Sequence, residues 1–196
     1  MEKLPLTVCW RRIDFNDGLE FVRLEQSGGG YAATGHVIGI DQDGPWFFRY
    51  RVVSDAEWVT TEVLCESVGP RGNSSLTLDA DAGRMWRIEG EEAGALQGCV
   101  DVDLGGSIVT NTLPIRRLAL EPGSARDVRV AWIDVPDLQA HAAEQRYTRL
   151  DDAGGVRRYE FTALDSDARY ELSVDEFGLV IDYEGIARRV GIWRQE

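Results

Sequence analysis

Residues 46–53 of this 196-residue chain read WFFRYRVV, a run of strict alternation. The positions on one side of the alternation are all apolar or aromatic, namely Trp46, Phe48, Tyr50 and Val52. The other side includes two guanidinium groups, those of Arg49 and Arg51. Successive side chains of a β-strand point to opposite faces, so this stretch predicts a strand with one face on a core and the other towards water.

Alternation with the same period recurs in both directions from this strand and is clearest in the C-terminal third. There, apolar residues occupy every second position at 159–163, 170–174 and 179–183. Clusters of Gly, Asp, Asn and Pro, which tolerate turn geometry, separate such segments at residues 16–18, 27–30, 41–44, 81–83, 121–123 and 151–155. The pattern predicts an all-β protein built mainly of antiparallel strands, with a hairpin turn at each cluster.

The length and a hydrophobic content of 43% predict one domain over residues 1–196, since β sandwiches and barrels often reach about 200 residues undivided. Residues 137–147 depart from the alternation because they combine alanine, glutamate and glutamine behind Pro136 and Asp137. This composition favours a helix. We therefore expect one short helix there and at most a few short helices in total.

The formal net charge of −13 disfavours nucleic acid as a partner, because such partners recruit proteins through exposed Lys and Arg. No apolar stretch approaches the roughly 18 to 20 residues that span a bilayer, so no membrane span is expected. Residues 1–6 lack the apolar run of a secretory signal. These features together predict a cytoplasmic protein, and they leave its oligomeric state undetermined.

Cysteines and histidines are too few and too scattered for the usual metal or nucleophile motifs. The three cysteines, Cys9, Cys65 and Cys99, are odd in number and far apart, so we expect them to be reduced and mostly buried. His36 and His141 are the two histidines, and neither lies in a nucleophile-elbow pattern. The sequence therefore predicts no metal site, no cofactor and no catalytic triad.

Asp101 and Asp103 alternate with Val100, Val102 and Leu104, which places both carboxylates on one face of a strand. At about 3.3 Å per residue their backbones are roughly 7 Å apart. Two readings stay open. A carboxylate pair can act as acid and base on a glycosidic bond, or the aspartates can pair with arginines of a neighbouring strand.

Arg116 and Arg117 lie where the alternation slips by one residue. Leu113 and Ile115 share one phase and Leu118 shares the other, which predicts a β-bulge at the arginine pair. Pro114 predicts that this strand is at an edge or locally unpaired. We expect at least one of the two guanidinium groups to bond to Asp101 or Asp103.

The six tryptophans are expected to be mainly core residues, with two exceptions. Trp58 and Trp86 lie among charged and polar neighbours, which makes them candidates for the rim of a ligand pocket.

Residues 110–118, TNTLPIRRL, resemble the signature stretch of the putative glycolipid-binding protein family. Further resembling pieces lie at residues 10–12, 18–20, 50–52, 86–88, 96–103, 145–147 and 178–180, so the likeness covers nearly the whole chain. One departure is Ser107-Ile108, where the family usually has a Thr-Pro pair. The resemblance implies a single antiparallel sheet curled into a roll or half-barrel, similar in shape to carriers that hold acyl chains in a hydrophobic cleft. The resemblance implies no catalytic residues.

Three functions follow from these observations as alternatives. The first is non-enzymatic binding of a lipid, glycolipid or similar amphiphile in an apolar cleft. The second is a glycoside hydrolase that uses the two aspartates. The third is a protein-interaction module without a small ligand. For the first, the predicted ligand-binding residues are Trp58, Trp86, Asp101, Asp103, Asn111, Arg116 and Arg117.

Overall fold

The structure is a computed structural model that describes residues 4–14 and 17–194. Two parts of the predictions lie outside the described residues. They are residues 1–3, which belong to the N-terminal stretch used to predict a cytoplasmic protein, and Asn16 of the first predicted turn. No helix in the described ranges is long and apolar enough to cross a membrane.

The described residues form fifteen strands, one short α-helix and two 3-10 helices. The 3-10 helices span Gly94–Leu96 and Val109–Asn111, and the α-helix α1 spans Thr112–Leu118. The strands are β1 (Leu6–Arg12), β2 (Gly18–Ser27), β3 (Gly30–Asp41), β4 (Gly44–Ser54), β5 (Thr60–Gly69), β6 (Gly72–Ala80), β7 (Trp86–Ile88), β8 (Glu91–Glu92), β9 (Asp101–Leu104), β10 (Ala125–Ile133), β11 (Ala140–Ala153), β12 (Val156–Ala163), β13 (Ala168–Val174), β14 (Val180–Tyr183) and β15 (Ala187–Arg194).

All fifteen strands belong to one sheet, in the order β8-β7-β6-β5-β4-β3-β2-β1-β15-β14-β13-β12-β11-β10-β9. The edge strands β8 and β9 are joined by residues 93–100 alone, and that segment can span at most about 32 Å. Fifteen flat strands at about 4.8 Å spacing would hold the two edges roughly 67 Å apart. The connection therefore requires the sheet to curl, which confirms the predicted curled antiparallel architecture.

The edge strand β9 meets the other half of the sheet near Thr60 of β5. The Thr60 amide donates to the Val100 carbonyl at 3.3 Å, and the Val102 amide donates to the Thr60 hydroxyl at 3.2 Å. Arg84 donates to the carbonyls of Thr60, Cys99 and Val100 at distances between 2.7 and 3.2 Å. These bonds hold β9 against the N-terminal half of the sheet and enclose its concave side.

One strand pair departs from the antiparallel pattern, because β9 runs parallel to β10. A parallel pair needs a crossover connection of about a dozen residues or more. Residues 105–124 make this crossover and contain α1 with the preceding 3-10 helix. Ile108, Val109, Leu113 and Ile115 are buried in the core. The crossover therefore fills part of the space inside the curled sheet.

The predicted bulge at Arg116 and Arg117 is wrong, because both residues belong to helix α1. The shift of phase between Ile115 and Leu118 is a helical i, i+3 spacing, which places both side chains on one helix face. Pro114 lies in the first turn, where its missing N–H would have had no intrahelical partner. It therefore marks a helix start and not a strand edge.

The predicted helix at residues 137–147 is also wrong, because most of that segment belongs to β11. This strand pairs with β10 on one side and β12 on the other. Helix propensities differ by only tenths of a kcal/mol per residue, so two hydrogen-bonded ladders outweigh the local composition.

Most of the predicted turns are confirmed as hairpin connections. The turn at residues 27–30 joins β2 to β3, with Gly28 and Gly29 at φ +58° and +87°, a conformation that favours glycine. Residues 41–44 join β3 to β4, residues 81–83 join β6 to β7, and residues 151–155 join β11 to β12. Residues 121–123 are the exception, because they connect α1 to β10.

The strand at residues 46–53 forms the centre of the core in the N-terminal half. Trp46, Phe48, Tyr50 and Val52 are all buried, as the alternation predicts. A Cβ atom at Gly35, the β3 partner of Tyr50, would lie 2.0 Å from the tyrosine ring. Glycine at this position therefore makes room for the aromatic ring of the adjacent strand.

The three cysteines are free, and Cys65 and Cys99 are buried as expected.

Candidate functional site

A cavity of about 420 Å³ lies inside the C-terminal half of the curled sheet, and we call it the central cavity. Its size falls within the usual range for small-molecule sites. Much of its wall is apolar or aromatic, with contributions from Leu104, Ile108, Trp132, Ala143, Phe161, Tyr170, Tyr183 and Ile186. Strands β9 to β14, together with the crossover, supply most of these residues. The cavity thus provides an apolar environment on the concave side of the sheet.

Asp103, Asn111 and Gln145 form a polar cluster on the wall of this cavity. The Asp103 carboxylate accepts hydrogen bonds on both oxygens, from the Thr110 hydroxyl at 2.8 Å and from the Gln145 amide nitrogen at 2.6 Å. Bonds to both oxygens favour the ionised carboxylate. Burial nevertheless raises the pKa of Asp103 above its ordinary value, against the effect of these bonds.

Gln145 leaves one hydrogen-bonding group without a partner. Its side-chain oxygen Oε1 is buried and has no hydrogen-bond partner among the described residues. The Asn111 side chain, in contrast, uses both of its groups. Its oxygen accepts from the Tyr147 hydroxyl at 2.9 Å, and its nitrogen donates to the Ile108 carbonyl at 3.2 Å. The acceptor on Gln145 is therefore the group of this cluster that is left for a ligand.

The rest of the lining is polar where the wall reaches solvent. His141, Asp165 and Ser166 are exposed residues of the lining. Arg12 and Asp14 also line the cavity and form an ion pair, with Nη2 and Oδ2 2.6 Å apart. An apolar interior with polar groups at exposed positions suits a molecule that has both apolar and polar parts.

A second buried carboxylate, Glu20, holds the crossover against the sheet. One oxygen accepts from the Tyr50 hydroxyl at 2.5 Å and from the Ser107 hydroxyl at 2.6 Å. The other oxygen accepts from the Ile108 amide at 2.7 Å. A proline at position 108 would lack this donor. The Ser107-Ile108 departure from the family pattern is therefore the point at which the crossover is bonded to Glu20.

Sequence reasoning missed Glu20, although a signal was present. Glu20 shares one alternation phase with Val22 and Leu24, which are both buried on the core face of β2. A carboxylate on an otherwise apolar phase must find hydrogen-bond partners when it is buried.

Replacing Glu20 by glutamine is expected to change how stability depends on pH. Burial raises the pKa of Glu20 in the folded state. A raised folded-state pKa gives a stability contribution that is fully present below the unfolded pKa of about 4.3 and is lost as pH rises through the folded value. The unfolding free energy of the wild type should thus fall relative to that of Glu20→Gln as pH increases.

Urea unfolding of both proteins between acidic and mildly alkaline pH measures this difference. Glu62→Gln, at an exposed position of β5, is the matched control and should track the wild type at every pH. A wild-type advantage that stays constant or grows with pH would contradict the assignment.

Asp101 and Arg117 form the ion pair expected between the two motifs, although Arg117 projects from a helix. The Asp101 oxygens accept from Arg117 Nε at 3.1 Å and from Nη2 at 2.5 Å. The Asp101 side chain has no exposed surface and that of Arg117 is 18% exposed. Burial raises the pKa of Asp101, and the guanidinium group opposes that rise.

Asp101 and Asp103 do not line a common cavity. Asp103 is on the wall of the central cavity, whereas Asp101 is not, and both oxygens of Asp101 are bonded to Arg117. An acid and base pair on one glycosidic bond needs two carboxyl groups that reach the same bond. The structure therefore gives the predicted hydrolase pair no shared binding space.

The remaining predicted site residues lie elsewhere. Trp86 is fully buried and its indole N–H donates to the Cys99 carbonyl at 2.8 Å, so it is a core residue and not a pocket rim. Trp58 is also buried, and its ring stacks on Tyr31 at 3.9 Å between centroids. Arg116 lies over the Trp58 ring and outside the central cavity.

Within residues 4–14 and 17–194, no group of three or more His, Cys, Asp or Glu side chains is arranged to hold a metal ion.

Comparison with known proteins gives two structural neighbours and one family. A DUF1089 family protein from Pseudomonas aeruginosa has 34% sequence identity and a TM-score of 0.77, with 87% of this chain and 92% of that protein covered. A beta-barrel-like protein of the domain of unknown function DUF1849 from Brucella abortus has a TM-score of 0.65 over 97% of this chain and 98% of its own. Its sequence identity is 9%, so this likeness concerns the fold alone.

No curated protein matches the sequence significantly. The sequence profile of the family described as "Putative glycolipid-binding" matches residues 7–189, which is nearly the whole chain. The crossover, all lining residues of the central cavity and most of the curled sheet lie within that match. The chain therefore belongs to the "Putative glycolipid-binding" family.

Proposed function

We propose that this protein binds a neutral amphiphile in the central cavity without changing it chemically. The observation that carries the proposal is the buried, unpartnered Oε1 of Gln145 beside the Asp103 carboxylate on a largely apolar wall. A buried acceptor without a partner costs about 1–3 kcal/mol. A ligand that donates a hydrogen bond to this oxygen removes that cost, provided that the Gln145 side chain turns to expose the oxygen to the cavity.

The polar cluster favours hydroxyl groups over anionic head groups. Gln145 Oε1 is an acceptor without a partner, and the neighbouring Asp103 carboxylate is already bonded on both oxygens and has no donor to offer an anion. A ligand group that bonds here must therefore donate a hydrogen bond. An anionic head group would instead meet the like charge of Asp103 in a buried environment. A sugar or another polyol supplies several hydroxyl donors at once, in agreement with the description of the family.

The apolar wall accounts for the rest of the ligand. Burying one methylene group contributes about 0.8 kcal/mol, so ten methylenes supply roughly 8 kcal/mol before association costs. This sum limits the expected affinity to about the micromolar range. The aromatic rings of Phe161, Tyr170 and Tyr183 contact one another through tilted and edge-on geometry on this wall, so a tail would lie against them.

Head-group charge gives a direct test of this proposal. Octyl glucoside below its critical micelle concentration and octanoate have the same chain length but differ in the head group. At pH 8 we expect the glucoside to bind about tenfold more tightly or better, since hydrogen bonds to charged groups contribute about 1.5–3 kcal/mol. Isothermal titration calorimetry measures both affinities.

The Asp103→Asn variant is the control for charge at the cavity wall. The preference for the glucoside should decrease in this variant because the repulsion of the carboxylate is removed. Octanoate binding that equals or exceeds glucoside binding in the wild type would contradict the proposed neutral ligand.

A further inference from the structure

A second concave site lies at the C-terminal end of α1, and we call it the arginine groove. It has a volume of about 560 Å³ and shares no lining residue with the central cavity. Three of its residues, Arg116, Arg149 and Arg157, carry positive charge. Glu121 and Asp152 are its two acidic residues. The groove is therefore net positive in a chain whose formal net charge is −13.

Two of these arginines lack a carboxylate partner. Among the described residues, no Asp or Glu oxygen lies within 4.0 Å of Arg116 or Arg157, although ion pairs are common elsewhere in the structure. Arg116 Nη1 donates to the Phe177 carbonyl at 3.2 Å and Arg157 Nη1 to the Glu176 carbonyl at 3.3 Å. Carboxylates outnumber cationic side chains by 34 to 21 in this chain. Their absence around these two guanidinium groups leaves positive charge uncompensated.

Arg116 also has a buried donor that nothing accepts. Its Nε is buried and has no hydrogen-bond partner in the described part of the chain. Such a group costs free energy comparable to a lost charged hydrogen bond. A ligand oxygen reaches this N–H only if the Arg116 side chain shifts, because the atom has almost no accessible surface.

Aromatic rings fix the guanidinium groups in place. Arg116 Cζ lies 5.0 Å from the centre of the Trp58 ring and 4.6 Å from that of Phe177. Arg149 Cζ lies 5.2 Å from the Tyr159 ring, and the residue is only 4% exposed. Cation–π contacts of this kind hold the guanidinium planes while leaving their edges available. Arg116 and Arg149 are thus held in place before any ligand enters, whereas Arg157 is exposed.

Tyr159 also lines the groove. Burial raises the pKa of Tyr159, and the positive charges of Arg149 and Arg157 oppose that rise. The nearby Asp152 carboxylate adds to the rise. The lining also includes the apolar residues Ile115, Leu120 and Phe177.

We propose that the arginine groove binds an oxyanion, a carboxylate or a phosphate, attached to a small organic group with an apolar part. The edge of a guanidinium group matches the geometry of both oxyanions, because its two parallel N–H groups can donate to two oxygens of one carboxylate or phosphate. Arg116 and Arg157 are the residues that contact the anion. Arg149 is paired with the Asp152 carboxylate, so the uncompensated charge of the groove comes from Arg116 and Arg157. The apolar part of the ligand lies against Ile115, Leu120 and Phe177.

Phenyl phosphate and benzoate are suitable probes, since both combine an oxyanion with a ring. Calorimetric titrations at low ionic strength should show binding of at least one of them to the wild type. Arg157→Gln should weaken that binding about tenfold, because it removes one charged hydrogen-bond donor. Arg157 is exposed and bonds only to a backbone carbonyl in the described structure, so this variant should fold normally.

Arg169→Gln is the matched control, since Arg169 is an exposed β13 arginine outside the groove. Its affinity for the probe should stay within about twofold of the wild-type value. The amide signals of Ala119 and Gly178, which line the groove, should shift on titration. Tighter binding of phenyl phosphate would identify a phosphate site, and tighter binding of benzoate a carboxylate site.

Two results would overturn this proposal. One is the absence of both heat and amide shifts with either probe at millimolar concentration. The other is an equal loss of affinity in Arg157→Gln and Arg169→Gln, which would show a general charge effect. Neither result depends on the central cavity, because the two sites share no lining residue. Failure here therefore leaves the proposed amphiphile binding to be judged by its own tests.

Discussion

Replacing Arg117 by methionine is expected to lower the free energy of unfolding by about 3–5 kcal/mol at neutral pH, because it leaves a buried charge uncompensated. The Asp101 side chain has no exposed surface, and Arg117 bonds to both of its oxygens. Methionine keeps much of the apolar stem of the arginine, so the loss reports mainly the missing charge. Urea unfolding followed by circular dichroism measures it.

The loss caused by Arg117→Met should depend on pH. Without the guanidinium group, the pKa of Asp101 rises further above its already raised value. At low pH the carboxyl is protonated in both proteins, and the difference in stability is small. As pH rises, only the wild type keeps a compensated charge, so the difference grows.

Two further variants test whether the loss of stability comes from the unpaired buried charge. The double variant with Asp101→Asn and Arg117→Met should recover part of the lost stability, since no buried charge remains. Arg146→Met removes a similar bidentate arginine from Asp127 on the surface, where both side chains are about half exposed. That change should be far milder because water and salt screen the pair. An Arg117→Met loss as mild as that of Arg146→Met would contradict the buried-pair account.

The strands were predictable because alternation and turn chemistry are local properties. The burial of Trp46, Phe48, Tyr50 and Val52 and the hairpin at Gly28 and Gly29 follow from a few neighbouring residues each. The order of fifteen strands in one sheet and the meeting of β5 with β9 depend on contacts between distant segments. Alternation alone does not encode these contacts.

The crossover shows where local reasoning failed. Residues 112–118 are helical because a parallel β9–β10 pair requires a crossover, and the interior of the sheet offers an apolar space for one. Neither condition is visible in the order of Leu113, Pro114 and Ile115. The opposite error occurred in β11, where pairing with both neighbours overrides helical composition.

Some residues of the candidate site were predicted from the sequence, but the fold places them in different locations. The ion pair between Asp101 and Arg117 was expected and is confirmed. Asp103 and Asn111 share the central cavity, whereas Arg116 is in the arginine groove. Gln145 could not be identified from sequence because its importance rests on one buried, unpartnered oxygen, which is a property of the folded interior.

Filling the central cavity is expected to weaken amphiphile binding strongly. Ala143 of β11 lines the cavity, so a tryptophan there projects into the space for the ligand. Exclusion of about four methylenes costs roughly 3 kcal/mol of binding free energy, which corresponds to about a hundredfold loss of affinity. Ala153→Trp makes the same change at an exposed position of the same strand and should leave affinity unchanged.

An amphiphile could instead bind to exposed apolar residues on the outer face of the sheet, and the cavity-filling variant must distinguish this alternative. Leu19 and Ile38 face each other across β2 and β3, and they are 49% and 59% exposed. Phe21, on the same face of β2, is also 49% exposed. Patches of this kind mark interaction surfaces when they are extensive. An amphiphile that binds on this face would be indifferent to the volume of the central cavity.

Calorimetric titration of octyl glucoside into the wild type, Ala143→Trp and Ala153→Trp is therefore the most direct test of amphiphile binding in the central cavity. Urea unfolding of all three proteins first establishes that each is folded. We expect saturable binding to the wild type and to Ala153→Trp, with a loss of about a hundredfold in Ala143→Trp. Equal binding to all three folded proteins, or no binding to the wild type at high micromolar protein, would contradict the account.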